Sequence, residues 1–478
     1  MAADLTNSIL EQFHSIVGPA GVVTDAETLA PHLTEWRGLY HGRTPAMLAP
    51  ANTAEAAAIL RTCRDQGIGV VPQGGNTGLA GGAIPHSTIE RPQILISARR
   101  MNAIREVDTD NYTITAESGC ILADLQEAAA AVERFFPLSL AAEGSCQLGG
   151  NISTNAGGTN VLRYGNTRDL VLGLEVVLPD GRVFDGLRGL RKDNTGYDLK
   201  QLFIGAEGTL GFITTAVCKL FSRPRGFATA LVAVADPDAA IALHSQARIA
   251  LGDQLIAFEL MNRRALDMVF ENIPGTRDPF EESHRWYVLI ELGSAEPGPI
   301  ADKLMGTFLA ESADSRLVYD GVLAQSGAQR EALWRMRHSI SEAQKKSGAG
   351  IKHDISVPVS KVAVFLRRAD EFARQRIPGA PVVAFGHLGD GNIHFNLNQP
   401  ATMAADAFLA LWPEVSRDVH SIAADLGGSF SAEHGVGALK CDELVRLRGG
   451  VELSLMRAVK GALDPDGIMN PGKIFGAS

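Results

Sequence analysis

Two histidines near the C-terminal end of the chain have a spacing that could bring them to one metal ion. Residues 382–398 contain two β-prone runs around Asp390-Gly391, a dipeptide that favours a two-residue hairpin turn. Such a turn makes His387 and His394 direct cross-strand partners, with Cβ atoms about 4.5–5.5 Å apart. The spacing therefore predicts two imidazoles that can reach the same cation.

Other polar residues extend this predicted site. Alternation along the second run places His394, Asn396 and Asn398 on one face of the strand. Further on, Glu433 and His434 stand side by side. Two histidines with one carboxylate and an open position are typical of catalytic zinc, and the same set also suits Fe(II) or Mn(II). The alternative is a solvated hairpin face with incidental histidines.

Two glycine clusters predict a phosphate cradle. Consecutive glycines allow several backbone N–H groups to point into one concavity, which binds anions, and two such concavities suit a pyrophosphate. The alternative is a set of tight turns and bulges. A dinucleotide-binding G-x-G-x-x-G motif does not occur, and the stretch 467–474 has Ile474 where a P-loop needs Ser or Thr. The clusters span residues 72–82 and 149–158.

A basic helix could bind an anionic substrate. Residues 331–343 read as one helix, on which Arg337 and Ser341 are four residues apart and share a face. Lys352 follows a few residues later. The alternative is an ordinary solvated charged face.

Composition limits the classes of function. The chain has 478 residues, 50 of them glycine, and a net charge of −10, which argues against nucleic acid as a main partner. Five widely spaced cysteines indicate a reducing compartment without a disulfide framework. The N-terminus has no secretory signal pattern, and no apolar run is long enough to span a membrane.

These segments resemble the vanillyl-alcohol oxidase/para-cresol methylhydroxylase flavoprotein superfamily. Within it they are most similar to the D-2-hydroxyglutarate dehydrogenases and the flavin D-lactate dehydrogenases. The matching stretches keep their order along most of the chain: 72–82, 149–158, 162–165, 172–181, 194–199, 205–211 and 464–473.

The resemblance implies an α+β fold and a division of the chain into three parts. Residues 1–222 would form a two-subdomain FAD-binding domain of the para-cresol methylhydroxylase type. Residues 223–430 would form an α+β substrate- and metal-binding cap domain. Residues 431–478 would return to complete the active site and the FAD site.

The resemblance also implies non-covalent FAD, because the first glycine loop has Asn76 and Thr77 and no histidine before His86. The implied cofactor contacts are Pro72, Gly74, Gly75, Asn76, Thr77, Gly78, Gly82, Ser145, Gly149, Gly150, Ile152, Ser153, Asn155, Gly157, Gly158, Tyr164, Gly208, Ile213 and Asn470.

For the reaction, the resemblance implies His387, His394 and Glu433 as ligands of one divalent metal, with zinc the first choice, and His434 as catalytic base. It implies that Arg337, Ser341, Lys352 and Asn396 bind the substrate. Position 341 is Ser where near relatives tend to have Thr, and His353 replaces a more usual aromatic residue.

The expected activity is FAD-dependent oxidation of a D-2-hydroxy acid, first D-2-hydroxyglutarate, by hydride transfer to flavin N5. Alternatives are a D-lactate or other monoacid dehydrogenase, an O₂-using oxidase, and a non-catalytic flavin or anion carrier. An electron-transfer flavoprotein or quinone is the expected acceptor, and a homodimer is an open option. The expected location is cytoplasmic, with attachment at the inner membrane or the mitochondrial matrix as alternatives.

Overall fold

A computed structural model describes residues 5–476 of the chain. Its backbone contacts divide the protein into two units. The first unit comprises the described parts of Met1–Gly158, Gly165–Ser222 and Glu433–Ser478, and the second comprises Thr159–Tyr164 and Arg223–Ala432. The sequence-based domain limits differ from this division at Thr159–Tyr164 and at residues 431 and 432, which belong to the second unit.

The helices, in chain order, are α1 (Asn7–Val17), α2 (Ala26–Leu29), α3 (Thr53–Asp65), α4 (Leu122–Ala131), α5 (Leu148–Ser153), α6 (Val161–Tyr164), α7 (Thr167–Leu170), α8 (Lys200–Phe203), α9 (Pro237–Leu251), α10 (Arg263–Asn272), α11 (Ile300–Asp314), α12 (Gly327–His338), α13 (Ile340–Lys346), α14 (Val362–Arg376), α15 (Ala405–Leu409), α16 (Trp412–Asp425), α17 (Cys441–Leu447) and α18 (Val451–Leu463). No helix among residues 5–476 combines the length and apolar character needed to cross a bilayer.

The strands are β1 (Val22–Val23), β2 (Met47–Leu48), β3 (Gly69–Gln73), β4 (Gln93–Ser97), β5 (Ile104–Asp108), β6 (Thr113–Glu117), β7 (Arg134–Phe135), β8 (Val171–Val177), β9 (Val183–Gly186), β10 (Phe212–Lys219), β11 (Phe221–Ser222), β12 (Gly226–Val234), β13 (Leu255–Asn262), β14 (Trp286–Ser294), β15 (Asp320–Leu323), β16 (Gly350–Ile351), β17 (Asp354–Ser356), β18 (Val382–His387) and β19 (Asn392–Asn398).

The first unit contains two main sheets. One has the order β1-β2-β4-β3, with parallel pairing of β4 to both β2 and β3. Strands β2, β3 and β4 are short and almost wholly buried, as expected for parallel strands, whereas β1 pairs antiparallel with β2 and is half-buried. The other sheet is antiparallel, with the order β5-β6-β10-β8-β9. The first glycine cluster follows directly after β3, so the parallel sheet positions that loop.

The C-terminal segment pairs with the parallel sheet of the same unit. The N–H of Val70 in β3 donates to Ile468 O at 2.8 Å, and the N–H of Asn470 donates to Val70 O at 2.7 Å. Ile468 and Met469 are fully buried in the core of this sheet. Residues from opposite ends of the chain therefore build one sheet edge.

The second unit is built on one eight-stranded antiparallel sheet, with β15-β12-β14-β13-β18-β19-β16 in order and β17 also paired with β19. Its central strands are apolar on both faces: Val288 and Ile290 of β14 lie in one core and Leu289 in the other. Helices α12 and α13 contribute to the core that contains Leu289. We call this side of the sheet the α12 face.

Candidate active site

A pocket in the first unit brings the two glycine clusters together. The first cluster follows β3, and the second forms the start of α5. Small residues line the pocket because a backbone that must present its N–H groups to a ligand cannot carry bulky side chains there. Of the predicted cofactor contacts, the lining includes Pro72, Gly74, Gly75, Asn76, Thr77, Gly78, Gly82, Gly149, Gly150, Ser153, Gly208 and Ile213, and it also includes His434.

The first glycine loop is packed too closely for a larger residue at Gly75. A Cβ added to Gly75 would lie 2.0 Å from Ser145 O, which is a backbone atom. Asn76 adopts a left-handed conformation with φ +54°, and its Nδ2 donates to Pro31 O and Thr34 O. These contacts fix the loop in one conformation without a ligand.

Two further side chains in this pocket were not predicted from the sequence. Ser118 Oγ and Gln147 Oε1 are buried and have no hydrogen-bond partner among the described residues. Buried polar atoms without partners are rare, so they point to a polar ligand. Together with the glycine cradle they fit FAD. The sequence contains only a weak indication of these two residues. Gln147 lies close to the second glycine cluster, and Ser118 precedes Gly119.

Some predicted cofactor residues do not line this pocket. Ile152 is a fully buried core residue, and Asn155 Oδ1 accepts from the N–H of Arg168. Tyr164 lies in the second unit, under the guanidinium of Arg163. Ser145 O lies against Gly75 and Asn470 Nδ2 donates to Gly82 O, so both contact lining residues from behind, whereas Gly157 lies beside Glu433 and Gly158 beside Ser139.

The half-buried carboxylate of Glu207 holds the segment that carries His434. Glu207 accepts backbone hydrogen bonds from Val436 and Gly437, both at 2.8 Å. Burial raises the pKa of Glu207, although both bonds act in the opposite direction. Asn470 Nδ2 donates to Glu207 O at 2.7 Å and to Gly82 O at 3.0 Å. The C-terminal segment thus stabilises the pocket through Glu207.

The hairpin in the second unit differs in register from the prediction. His394 pairs with Phe385 rather than with His387, and His387 pairs with Glu259 of β13. The connection is a four-residue loop, closed by bonds from the N–H groups of Asp390 and Gly391 to His387 O. A shift of two residues keeps side chains on the same face.

The two histidines are nevertheless close. Their ring centroids are 6.4 Å apart, and one ring nitrogen of each lies within 4.8 Å of the other. A carboxylate oxygen of Asp354, which pairs with His394 across β17 and β19, is also within 4.8 Å of a His394 nitrogen. Two imidazoles at this distance fit a divalent metal. The carboxylate of Asp354 was missed from the sequence.

His387 is oriented by a buried carboxylate that the sequence also did not reveal. Glu259 Oε1 lies 2.7 Å from His387 Nδ1. Burial by itself would raise the pKa of Glu259. The charges of His387 and Arg337 and their hydrogen bonds outweigh burial and lower this pKa to about 2, so the carboxylate is ionised at neutral pH.

The predicted anion-binding residues occupy different environments. Residues 331–343 form two helices, α12 and α13, separated at Ser339, rather than one. Arg337 is 6 % exposed and its Nε donates to Glu259 Oε2 at 2.9 Å, whereas Ser341 is exposed. Lys352 is half-buried.

Asn396 is buried in a network of amides. Its Oδ1 accepts from the N–H of His353 at 2.9 Å, and its Nδ2 donates to Gln344 Oε1 at 2.9 Å. Gln344 in turn donates to Asn398. One Nδ2 hydrogen of Asn396 remains beyond these bonds for a ligand.

Glu433 and His434 are the first two residues of the C-terminal segment that belongs to the first unit. The carboxylate of Glu433 lies beside the second glycine cluster, since a Cβ on Gly157 would be 3.1 Å from Glu433 Oε1. His434 lines the glycine pocket itself. The metal-ligand and base candidates at 433 and 434 thus both stand next to the glycine loops.

Comparison with known proteins identifies the family. Residues 44–186 match the model of an FAD binding domain, and residues 223–474 match the model of the C-terminal domain of FAD linked oxidases. The probable mitochondrial D-2-hydroxyglutarate dehydrogenase of Oryza sativa subsp. indica is 40% identical over 98% of this chain and 82% of its own length. The D-2-hydroxyglutarate dehydrogenase of Stutzerimonas stutzeri is 36% identical over 98% and 99%.

Solved structures support the same fold. p-Cresol methylhydroxylase with bound substrate aligns with a TM-score of 0.77 at 16% identity, over 98% of this chain and 97% of that one. The expected α+β architecture of the para-cresol methylhydroxylase type is confirmed. The chain therefore belongs to the FAD-linked oxidase family, as an FAD-dependent oxidoreductase related to the D-2-hydroxyglutarate dehydrogenases.

Proposed function

We propose that the protein oxidises D-2-hydroxyglutarate to the 2-oxo acid, with FAD bound non-covalently and with one divalent metal, zinc being the first choice. The observation that carries the proposal is that His434, the candidate base, lines the same pocket as the two glycine loops. Relatives at 36–40% identity over nearly the whole chain bear the name of this activity.

The cofactors would be held by residues of different chemistry. The glycine loops, with Ser118 and Gln147, would hold FAD in the first unit. His387, His394 and Glu433 would hold the metal. When bound, FAD supplies a two-electron acceptor and the metal supplies a Lewis acid.

Two features support the choice of Glu433 as third ligand. Ala432, the last residue of the second unit, donates its N–H to Asp354 O at 3.3 Å, and Glu433 is the next residue in the chain. Glutamate also completes a set of two imidazoles and one carboxylate, which is the usual set at catalytic zinc.

The remaining residues would bind the substrate and move its proton. Arg337, Ser341 and Lys352 would hold the distal carboxylate, and Asn396 would add one N–H donor. His434 would take the proton of the C2 hydroxyl group as general base. Loss of that proton allows C2 to give up its hydrogen with two electrons, which leaves the 2-oxo acid.

The proposal is tested by anaerobic bleaching of the protein-bound flavin. D-2-Hydroxyglutarate should bleach the flavin, whereas its L-enantiomer should not, and D-lactate should be the slower D-acid because it lacks a distal carboxylate. Bleaching by L-acids alone, or by none of these acids, would overturn the proposal. Full bleaching after removal of all metal would overturn the metal part.

The electron acceptor is proposed on chemistry alone. We expect an electron-transfer flavoprotein or a quinone rather than O₂. Peroxide formed in proportion to turnover in air would identify an oxidase instead.

A further inference from the structure

Glu259 joins two residues of the proposed site that belong to different elements. Its side chain is 1 % exposed. One carboxylate oxygen lies 2.7 Å from His387 Nδ1. The other accepts from Arg337 Nε at 2.9 Å and lies 2.8 Å from Arg337 Nη2. The carboxylate therefore bridges β18 and α12 from its place on β13.

The sheet dictates this bridge. Glu259 and His387 are direct partners in the antiparallel pairing of β13 with β18, so their side chains leave the same face within reach of each other. Met261, two residues from Glu259, packs in the core of the α12 face, which places Glu259 on that face too. Arg337 of α12 packs on the same face and reaches Glu259 there.

The bridge selects one form of the imidazole. The guanidinium of Arg337 lies at Oε2 of Glu259, which leaves Oε1 to accept from the imidazole, so the hydrogen of the 2.7 Å contact is placed on Nδ1 of His387. In a neutral imidazole the other nitrogen, Nε2, then carries the lone pair through which a histidine coordinates a cation. Histidine ligands of metals usually have such a carboxylate or carbonyl behind them, and it keeps the ring in one orientation.

We propose that Glu259 is a positioning residue for metal binding, which holds His387 with Nδ1 protonated and Nε2 directed to the ion, and that Arg337 supports it by neutralising the buried carboxylate. This inference rests on the metal site proposed above. It also gives Arg337 a role in addition to substrate binding, since Nε donates to Glu259 and Nη2 lies within ion-pair distance of the same oxygen.

A second buried glutamate provides a matched control. Glu291 of β14 is 3 % exposed and lies on the same α12 face. It accepts from Arg330 Nε at 2.7 Å, from Arg330 Nη2 at 2.6 Å and from Trp334 Nε1 at 2.6 Å. Like Glu259 it pairs with an arginine of α12, and it also accepts from the indole of Trp334 and the hydroxyl of Thr229.

The test compares Glu259→Gln and Glu291→Gln in the FAD-loaded protein. Glutamine keeps the size of the side chain, but it must turn its NH₂ group toward either Arg337 or His387 and cannot accept from both. Zinc affinity is measured by competition with a chromogenic chelator. Glu259→Gln should weaken zinc binding by about 10- to 100-fold. Glu291→Gln should leave it within about twofold, because it changes no histidine contact.

A spectroscopic measurement separates positioning from general stability. In zinc-free protein labelled with ¹⁵N-histidine, the His387 signal, assigned with His387→Asn, should show the Nδ1–H form in the wild type and a mixture of both forms in Glu259→Gln. If Glu259→Gln does not fold, Glu259→Asp replaces it; this change draws the carboxylate back from Nδ1 and should also weaken zinc binding.

Four outcomes decide the question. Equal losses of zinc affinity in Glu259→Gln and Glu291→Gln, or wild-type affinity in Glu259→Gln, would overturn the role of Glu259. If the wild type binds no zinc, or His387→Ala binds it as tightly as the wild type, the proposed metal site itself fails and this inference with it.

Discussion

His434 combines a position in the cofactor pocket with an imidazole, the side chain most often used as a general base. Its place is set by Glu207, which fixes the backbone two and three residues further on. A general base contributes about 10²–10⁴-fold to a rate. His434→Gln should therefore slow flavin reduction by D-2-hydroxyglutarate at least about 100-fold, measured by anaerobic stopped-flow absorbance, with FAD content unchanged. A rate within about threefold of the wild type would contradict the assignment.

His244 gives a prediction about pH. It is buried on α9 against the edge of Phe258, with ring centroids 5.0 Å apart. Burial, with a smaller effect of Arg248, lowers the pKa of His244 to about 4. The unfolded chain takes up this proton near pH 6.5 but the folded chain resists it, so stability should fall as pH decreases from about 6.5 toward 4.

The His244→Leu variant should not show this acid-dependent loss of stability, which amounts to about 1.4 kcal/mol for each unit by which the folded and unfolded pKa values differ. Its thermal midpoint should fall less than that of the wild type between pH 6.5 and 4.5. The control is His14→Leu at an exposed position of α1, which should keep the wild-type pH dependence. Parallel pH curves for all three proteins would refute the prediction.

The loop between β18 and β19 requires glycine at position 391. Gly391 has φ +84°, and a Cβ there would lie 2.0 Å from Val357 O. Gly379 has φ +82° but open space around it. Both Gly→Ala changes incur the left-handed cost of about 1–2 kcal/mol. Gly391→Ala should lose clearly more stability than Gly379→Ala in thermal unfolding, and it alone should weaken zinc binding.

Local sequence predicted most elements but not their registers. The hairpin predicted at 382–398 is confirmed as β18 and β19, and the residues predicted as one helix at 331–343 are helical except at Ser339. The hairpin was placed two residues out of register because Asp390-Gly391 was read as the whole turn. Those residues instead end a four-residue loop, while β13 takes His387 as its partner. The sequence of the hairpin alone does not show that a third strand, β13, pairs with β18.

The residues missed in the site share one cause. Glu259 is 128 residues before His387 in the chain, so only the pairing of β13 with β18 reveals their contact. Asp354 is brought to His394 by β17 in the same way. Ser118 becomes part of a pocket only when the loop after β6 meets the glycine clusters. The glycine clusters and the two hairpin histidines could be predicted because each group lies within one short stretch of sequence.

At the scale of the whole molecule, stability should depend on FAD. A ligand at 100 times its Kd stabilises the folded state by about 2.7 kcal/mol. Adding FAD to the apoprotein should therefore raise the thermal midpoint of unfolding by several degrees. Gly75→Ala, whose Cβ would meet Ser145 O, should remove most of this rise, measured by differential scanning fluorimetry. Gly144→Ala, which meets nothing within 4 Å, should keep it. Equal rises in both variants would refute this role of the first glycine loop.

The pairing of Val70 with Ile468 and Asn470 has a consequence for the order of events during synthesis. Val70 leaves the ribosome about 400 residues before its partners, which at 5–20 residues per second is a delay of roughly 20–80 s. Until then the parallel sheet lacks its last edge contacts, and Glu207 lacks the partners at Val436, Gly437 and Asn470. Tight capture of FAD should thus be a post-translational step, and nascent chains arrested before residue 436 should emerge without flavin.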